Sequence, residues 1–324
     1  MDYNPPYALS ERAVTLIAEI AGAAERFSLA LEGPKGILLR KVNHVRTIRG
    51  TTAIEGNTLT EAQITAVLDG KRVSAPKREI EEIHGAHAAY ELLGKVDPYS
   101  EKDLQKVHRA MVGGLVENAG AFRTKGVGVV DGNGRVLHMA PPADLVPELM
   151  GNLFAWARNS TAHPLVKSSV FHYEFEFIHP FEDGNGRVGR FLQTAMLGKW
   201  KEIFHAAPIE NIVFENQEGY YRAIQESTAR ADAGPFVDFM LERILETIER
   251  KGVLKDVPIN VPINVPIKDR VLSAISDRPG LNRVQLSQAL SVDVKSIGRA
   301  LAGLGDKVEH RGSKKTGGYF VRGT

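Results

Sequence analysis

The run His179-Pro180-Phe181-Glu182-Asp183-Gly184-Asn185-Gly186-Arg187-Val188-Gly189-Arg190 decides how the rest of this 324-residue chain is read. Gly184 and Gly186 permit the backbone to turn its N–H groups inward. A helix expected to begin near Arg187 would present its positive end to the same space. Arg187 and Arg190 stand three apart, so they share one helical face and can both reach a polyphosphate. Asp183 supplies a hard oxygen ligand of the kind Mg²⁺ uses beside nucleotide phosphates. His179, directly before Pro180, is the candidate general base because imidazole titrates near neutrality; it is taken as the only histidine of this nest.

The hexapeptide DGNGRV occurs at 183–188 and also at 131–136. Context separates the two. The first copy is preceded by Val127, Gly128, Val129 and Val130 and runs into Val136, Leu137 and His138. Two β-rich runs around a DGNG tetrapeptide read as a hairpin whose glycines take the positive φ angles of a tight turn. Neither copy has the ligand spacing of an EF-hand loop.

Elsewhere apolar residues recur at three- and four-residue spacing, predicting a mainly α fold with helices over 10–31, 79–93, 101–115, 144–158, 164–177, 189–199 and 236–250. Ser10 and Ser100 are N-cap candidates. His172 and Glu176, at i,i+4 spacing, read as a structural hydrogen-bonded pair, since no third metal ligand is in view. Residues 257–267 repeat Val-Pro-Ile-Asn almost three times, and a proline at every fourth position forbids helix, so 251–267 is read as a linker. Beyond it, helices at 268–276, 283–290 and 294–304 and a glycine-rich tail over 307–321 suit a small winged helix-turn-helix.

Composition narrows the function classes. The absence of cysteine excludes thiolate nucleophiles and Cys-ligated zinc. No long uncharged apolar run predicts a membrane span, no signal-like start is seen, and a cytoplasmic protein is the simplest expectation. The net charge of +2 conceals an asymmetry: residues 268–324 carry eleven Lys or Arg against five Asp or Glu, leaving the first 267 residues net acidic. A basic tail suggests an anionic partner.

The segment 179–190 resembles the Fic signature HPFx[DE]GN[GK]RxxR at every defined position. The resemblance extends upstream through FRTKGV (122–127) and APPADLVPELM (140–150), and downstream through Asn216, Tyr220 and Tyr221 to PFVDFML (235–241). It implies a Fic helical core at 99–250 with a β-hairpin flap, preceded by an N-terminal helical region at 1–98 and followed, after the linker, by the winged-helix domain at 268–324. It also implies an AMP transferase. His179 would take the proton of a Ser, Thr or Tyr hydroxyl on a protein target, which attacks the α-phosphorus of ATP. Asp183 would hold Mg²⁺, while Asn185 and the amides of Gly184, Gly186 and Arg187 stabilise charge. Arg187 would meet the β-phosphate and Arg190 the γ-phosphate. Asn216, Tyr220 and Tyr221 would form the adenine pocket. The hairpin would align the target segment by strand addition. Gly186, where a kinase branch of the family has Lys, favours AMP transfer.

Thr51-Thr52-Ala53-Ile54-Glu55-Gly56 resembles the family's inhibitory motif [ST]xxxE[GN]. Glu55 would pair with Arg190 and deny the γ-phosphate its cation. The same Glu can position water in some family members, so de-AMPylation is an alternative activity, and a nucleotide-sensing DNA-binding regulator is another. Docking of DNA or of protein through 268–324 and a homodimer both stay open.

Overall fold

The computed structural model describes residues 3–130, 136–251, 266–313 and 317–322. The Val-Pro-Ile-Asn repeats, the DGNG tip at 131–134, and Lys314 and Lys315 lie outside them.

Ser10 opens α1 (Glu11–Ala30) by accepting a hydrogen bond from the Ala13 amide at 2.9 Å. α2 (Gly33–Ala53) follows at once and ends in the turn Ile54-Glu55-Gly56, where Gly56 takes φ +96°. Thr60 and Gln63 cap α3 (Glu61–Leu68) reciprocally, and α4 (Lys77–Tyr90) and α5 (Glu101–Val112) complete the N-terminal half. β1 (Gly128–Val130) pairs antiparallel with β2 (Val136–Met139), in the register Gly128 to Met139, with an irregularity after Val129. α6 (Val146–Asn159), α7 (Pro164–Ile178), α8 (Asn185–Trp200), α9 (Ile209–Glu215), α10 (Gln217–Arg230) and α11 (Gly234–Glu246) follow, the last extended by a π turn at Thr247–Lys251.

The centre of this body is the antiparallel pair α7 and α8. Nearly every residue of either helix is buried, which is why neither shows the one-sided stripe of a surface helix. α6 and α11 cover α7, α5 flanks α8, and Phe154, Phe171, Phe175, Phe181, Phe191 and Phe236 fill the space between. Burying such rings contributes about 3–5 kcal/mol each, judged by truncation to alanine elsewhere. This core fixes the chain segment between α7 and α8, which is the segment 179–184.

Four of these helices, α2, α3, α9 and α10, are absent from the periodicity reading. α2 is the instructive one. It packs against α4, α9 and a helix near the C-terminus, so Leu38, Leu39, Val42, Val45 and Ile48 are buried on several sides along with Asn43, Thr47, Thr51 and Thr52. The helix expected at 189–199 begins four residues earlier, at Asn185.

α12 (Ile267–Asp277), α13 (Arg283–Leu290) and α14 (Val294–Leu304) are followed by β3 (Val308–Arg311) and β4 (Gly318–Val321), paired antiparallel. They enclose a separate apolar cluster built on Val271, Ile275, Leu286, Leu290, Ile297 and Leu301. α12 lies against α2, where Asp269 is 3.4 Å from Lys41. No helix among the described residues is long and apolar enough to cross a membrane.

Candidate active site

α7 stops at His179 because that residue enters the left-handed region, φ 50° and ψ 63°, while its amide still donates to the Phe175 carbonyl. A non-glycine residue held there is strained, and such strain persists only where the surroundings over-determine it. Here they do. Arg123, buried, donates from its guanidinium to the carbonyls of Ile178, His179, Lys125 and Pro141, and its own amide donates to the Pro180 carbonyl. One side chain thus ties the end of α7 to both chain segments that lead into and out of the β-hairpin. FRTKGV was singled out in the sequence, but this role was not legible because its partners are main-chain carbonyls, three of them from remote segments.

The loop then folds back on itself. Asn185 accepts from the Phe181 amide and donates to the Phe181 carbonyl, both at 2.8 Å. Its side chain, expected to stabilise charge on a phosphate, is engaged with the loop's own backbone. Gly184 has φ +84°, and a Cβ there would come within 2.7 Å of Val112. At Gly186 a Cβ would lie 2.6 Å from Glu55 Oε1 and 2.9 Å from Arg190 Nη1. Gly184 is required by its positive φ, whereas a side chain at Gly186 would push against the Glu55 and Arg190 termini.

A second histidine belongs to this corner, contrary to the expectation of one. His108 on α5 stacks on Phe181 with ring centres 3.7 Å apart, and its Nε2 lies 2.9 Å from the Asp183 carbonyl. Its Nδ1 accepts from the Gly120 amide, so the proton sits on Nε2 and is donated to Asp183. Burial lowers its pKa to about 4, which keeps it a neutral buttress. Nothing in the local sequence around His108 signals this.

The charged groups divide along α8. Asp183 Oδ1 accepts from the Gly184 amide and from Arg187 Nη2 at 3.1 Å, while its Oδ2 lies 3.5 Å from Arg78. Arg187 is 2% exposed, yet its Nε and Nη1 have no hydrogen-bond partner. Buried guanidinium donors without acceptors are costly, and an anion in the nest would satisfy them. Arg190, 3% exposed, is engaged through two of its nitrogens: Nη2 donates to Glu55 Oε1 at 2.6 Å and to the Thr51 carbonyl, with Nε 3.4 Å from Thr51 Oγ1. Burial disfavours its charge, but Glu55 more than compensates and holds it protonated. The turn carrying Glu55 is itself anchored: Asn57 donates to Glu82 and to the Glu79 carbonyl on α4, and Gln217 of α10 donates to the Ile54 carbonyl.

His179 is partly buried, with Nδ1 3.8 Å from Glu176 Oε2 and 3.3 Å from the Glu176 carbonyl. Burial pushes the Glu176 carboxyl up to about 8. The expected His172–Glu176 hydrogen bond is not formed. The two atoms are 3.8 Å apart, and His172 instead bonds Gln193 through Nδ1 and Tyr220 through Nε2. That also corrects Tyr220: it is 2% exposed, its hydroxyl is committed to His172 and its ring to Phe236, so it belongs to the core and not to a pocket wall. Tyr221 and Asn216 are only half-buried, at the start of α10 beside the Glu55 turn. Val127, Gly128, Val129, Val130, Val136, Leu137 and His138 lie on the two strands and the residue before them, as the hairpin reading placed them.

The fit to Mg²⁺ rests on donor chemistry. One carboxylate, Asp183, stands partly exposed, and Mg²⁺ is commonly held by one or two carboxylates plus substrate phosphates. The residues present fit.

The profile of the Fic/DOC family matches residues 98–197. The crystal structure of a Fic family protein from Desulfovibrio desulfuricans G20 is 39% identical, superimposes with a TM-score of 0.74, and each chain covers 99% of the other. A protein adenylyltransferase Fic of Aedes aegypti is 31% identical over 225 residues, 64% of this chain and 42% of that protein. A probable protein adenylyltransferase of Aquifex aeolicus is 38% identical over 122 residues, 35% of each. This chain spans less than half the length of these curated relatives.

Proposed function

The chain belongs to the Fic family, and on that premise we propose that it is an autoinhibited protein adenylyltransferase, moving AMP from ATP to a hydroxyl side chain of a protein target or of itself. The observation that carries the proposal is Arg187, a buried guanidinium in the first turn of α8 with two donor nitrogens unpartnered. The relatives' names supply the reaction class.

In this reading His179 takes the proton of the attacking hydroxyl. The oxygen forms a bond to the α-phosphorus, the bond from that phosphorus to the bridging oxygen of pyrophosphate breaks, and pyrophosphate leaves. The amides of Gly186 and Arg187, at the start of α8, would meet the charge that develops on the phosphoryl oxygens, while that of Gly184 is held by Asp183 Oδ1. Arg187 holds the β-phosphate. Mg²⁺, held by Asp183, would neutralise phosphate charge when bound. The β1–β2 hairpin offers main-chain groups to an extended target segment. Asn216 and Tyr221 border the adenine, with Tyr220 supporting from behind.

Glu55 is the brake. Its 2.6 Å contact occupies the guanidinium of Arg190 that the γ-phosphate would use. The test is incubation of wild-type and Glu55→Gly proteins with labelled ATP and Mg²⁺. The variant should incorporate about 10- to 100-fold more label, the worth of one charge-assisted hydrogen bond. Equal incorporation across ATP concentrations would sink the autoinhibitory reading.

The unit at 268–324 is read as a winged helix beyond a linker at 251–267. Three helices, an antiparallel hairpin and a separate apolar cluster support this. Lys295 and Arg299 are exposed on α14, where a nucleic-acid phosphate or an acidic protein surface would meet them.

A further inference from the structure

Three side chains far from the nest converge between α2 and α4. His44 projects from α2; His87 and Glu91 lie four residues apart at the end of α4. His44 Nε2 is 2.9 Å from His87 Nδ1, and all three potential ligand atoms lie within 4.8 Å of one another. The imidazole rings meet edge to face, centres 5.2 Å apart and planes at 75°. Glu91 is exposed, which leaves a path from solvent, whereas the two rings are partly buried.

From this arrangement we infer a Zn²⁺ site formed by His44, His87 and Glu91, stapling α2 to α4. Two imidazole nitrogens and one carboxylate are a ligand set that Zn²⁺ takes, with a fourth position left to water. At 2.9 Å one facing nitrogen carries a proton and the other a lone pair, and metal binding shifts that proton, through solvent, to the other nitrogen of the same ring. Zn–N bonds of about 2.0–2.1 Å at a tetrahedral angle put nitrogens roughly 3.3 Å apart, so the rings need to part by only about 0.4 Å. The site uses no residue of the nest and stands whether or not the transferase reading does. It lies upstream of Glu55 on α2, and α4 also anchors the Glu55 turn through Asn57. A bound ion therefore adds a second tie between the same two helices.

The experiment uses untagged, chelator-treated full-length protein titrated with zinc chloride, read by calorimetry, metal analysis and X-ray absorption. The expected result is one Zn²⁺ per chain with two imidazole nitrogens at about 2.0 Å. His44→Ala and His87→Ala should each weaken binding at least about tenfold, and Glu91→Gln should weaken it less. His84→Ala, an exposed histidine one turn away, should not change it. Because His44 is partly buried, His87→Gln with an unchanged far-ultraviolet spectrum decides the matter if His44→Ala fails to fold. No stoichiometric uptake, or uptake indifferent to His87→Gln, overturns the site and leaves a hydrogen-bonded imidazole pair.

Discussion

Arg187 and Arg190 stand one turn apart on α8, both buried, and their surroundings are opposite. The Arg187 end of the nest has a carboxylate on one side and two N–H groups with no acceptor. The Arg190 end is closed by Glu55 and Thr51. Two identical side chains on one helical face have thus been given different tasks by the elements that reach them. On the proposed reading Arg187 awaits a ligand and Arg190 is withheld from one, and the difference in their partners lies in a turn more than a hundred residues earlier in the chain.

The largest test removes the chemistry from both ends together. In the Glu55→Gly background, His179→Ala should lower transfer by about 10²–10⁴-fold, the usual contribution of a general base. Binding of a non-hydrolysable ATP analogue, measured by calorimetry, should persist. A variant that keeps more than roughly a tenth of the rate removes His179 from that role.

A finer test separates the ends. Combined with Glu55→Gly, Arg190→Ala should return incorporation to the wild-type level, because only the gain is lost. Arg187→Ala in the same background should fall below wild type by about 10-fold or more, since a contact needed in either state is gone. If both double variants behave alike, the contrast between the two arginines is wrong.

The smallest expected effect concerns Glu176, which lies between His172 and His179. Burial raises its pKa from the ordinary 4.5 to about 8, with Arg190 opposing and Glu55 adding. Between those values the native state holds a proton that the unfolded chain has lost. This contribution to stability is therefore full below about pH 4.5 and is lost progressively as pH rises towards about 8. Glu176→Gln lacks that slope. Melting curves from pH 5 to 6 should show wild type losing a few degrees relative to the variant, at about 1.4 kcal/mol per pH unit and about 2–4 °C per kcal/mol. Parallel curves would show that Glu176 is ionised in the native state.

The sequence made the chemistry more legible than the frame that carries it. His179, Asp183, Gly184, Gly186, Arg187 and Arg190 could be found because loop and helix bring them together within twelve residues, and Glu55 because a short motif survives on its own. Arg123 and His108 could not, since each acts on carbonyls from distant segments and any donor of similar reach would read the same. The inhibitory motif marked the end of a helix at Glu55 and Gly56, but periodicity missed the rest of α2, because it is covered on several sides and buries threonines and an asparagine, which blurs a 3.6-residue period. α3 had a usable signal in Thr60 and Gln63, and α10 in the spacing of Tyr220, Ala223, Ile224 and Ser227, where small residues stand in for large apolar ones. The two copies of DGNGRV show the converse. Identical residues lead into a strand pair in one place and a buried helix pair in the other, and only the flanking pattern tells them apart.

α2 touches every party to this arrangement: Glu55 at its C-terminal turn, His44 midway, and Lys41 facing Asp269 of α12. Free energy is a state function, so coupling through one such spine runs equally in both directions. If a ligand of the 267–322 unit shifts α2 and loosens ATP by some factor, ATP must loosen that ligand by the same factor. The tail then reports on the nucleotide as faithfully as the nucleotide obeys the tail, and a binding assay on either can be read as an assay of the other.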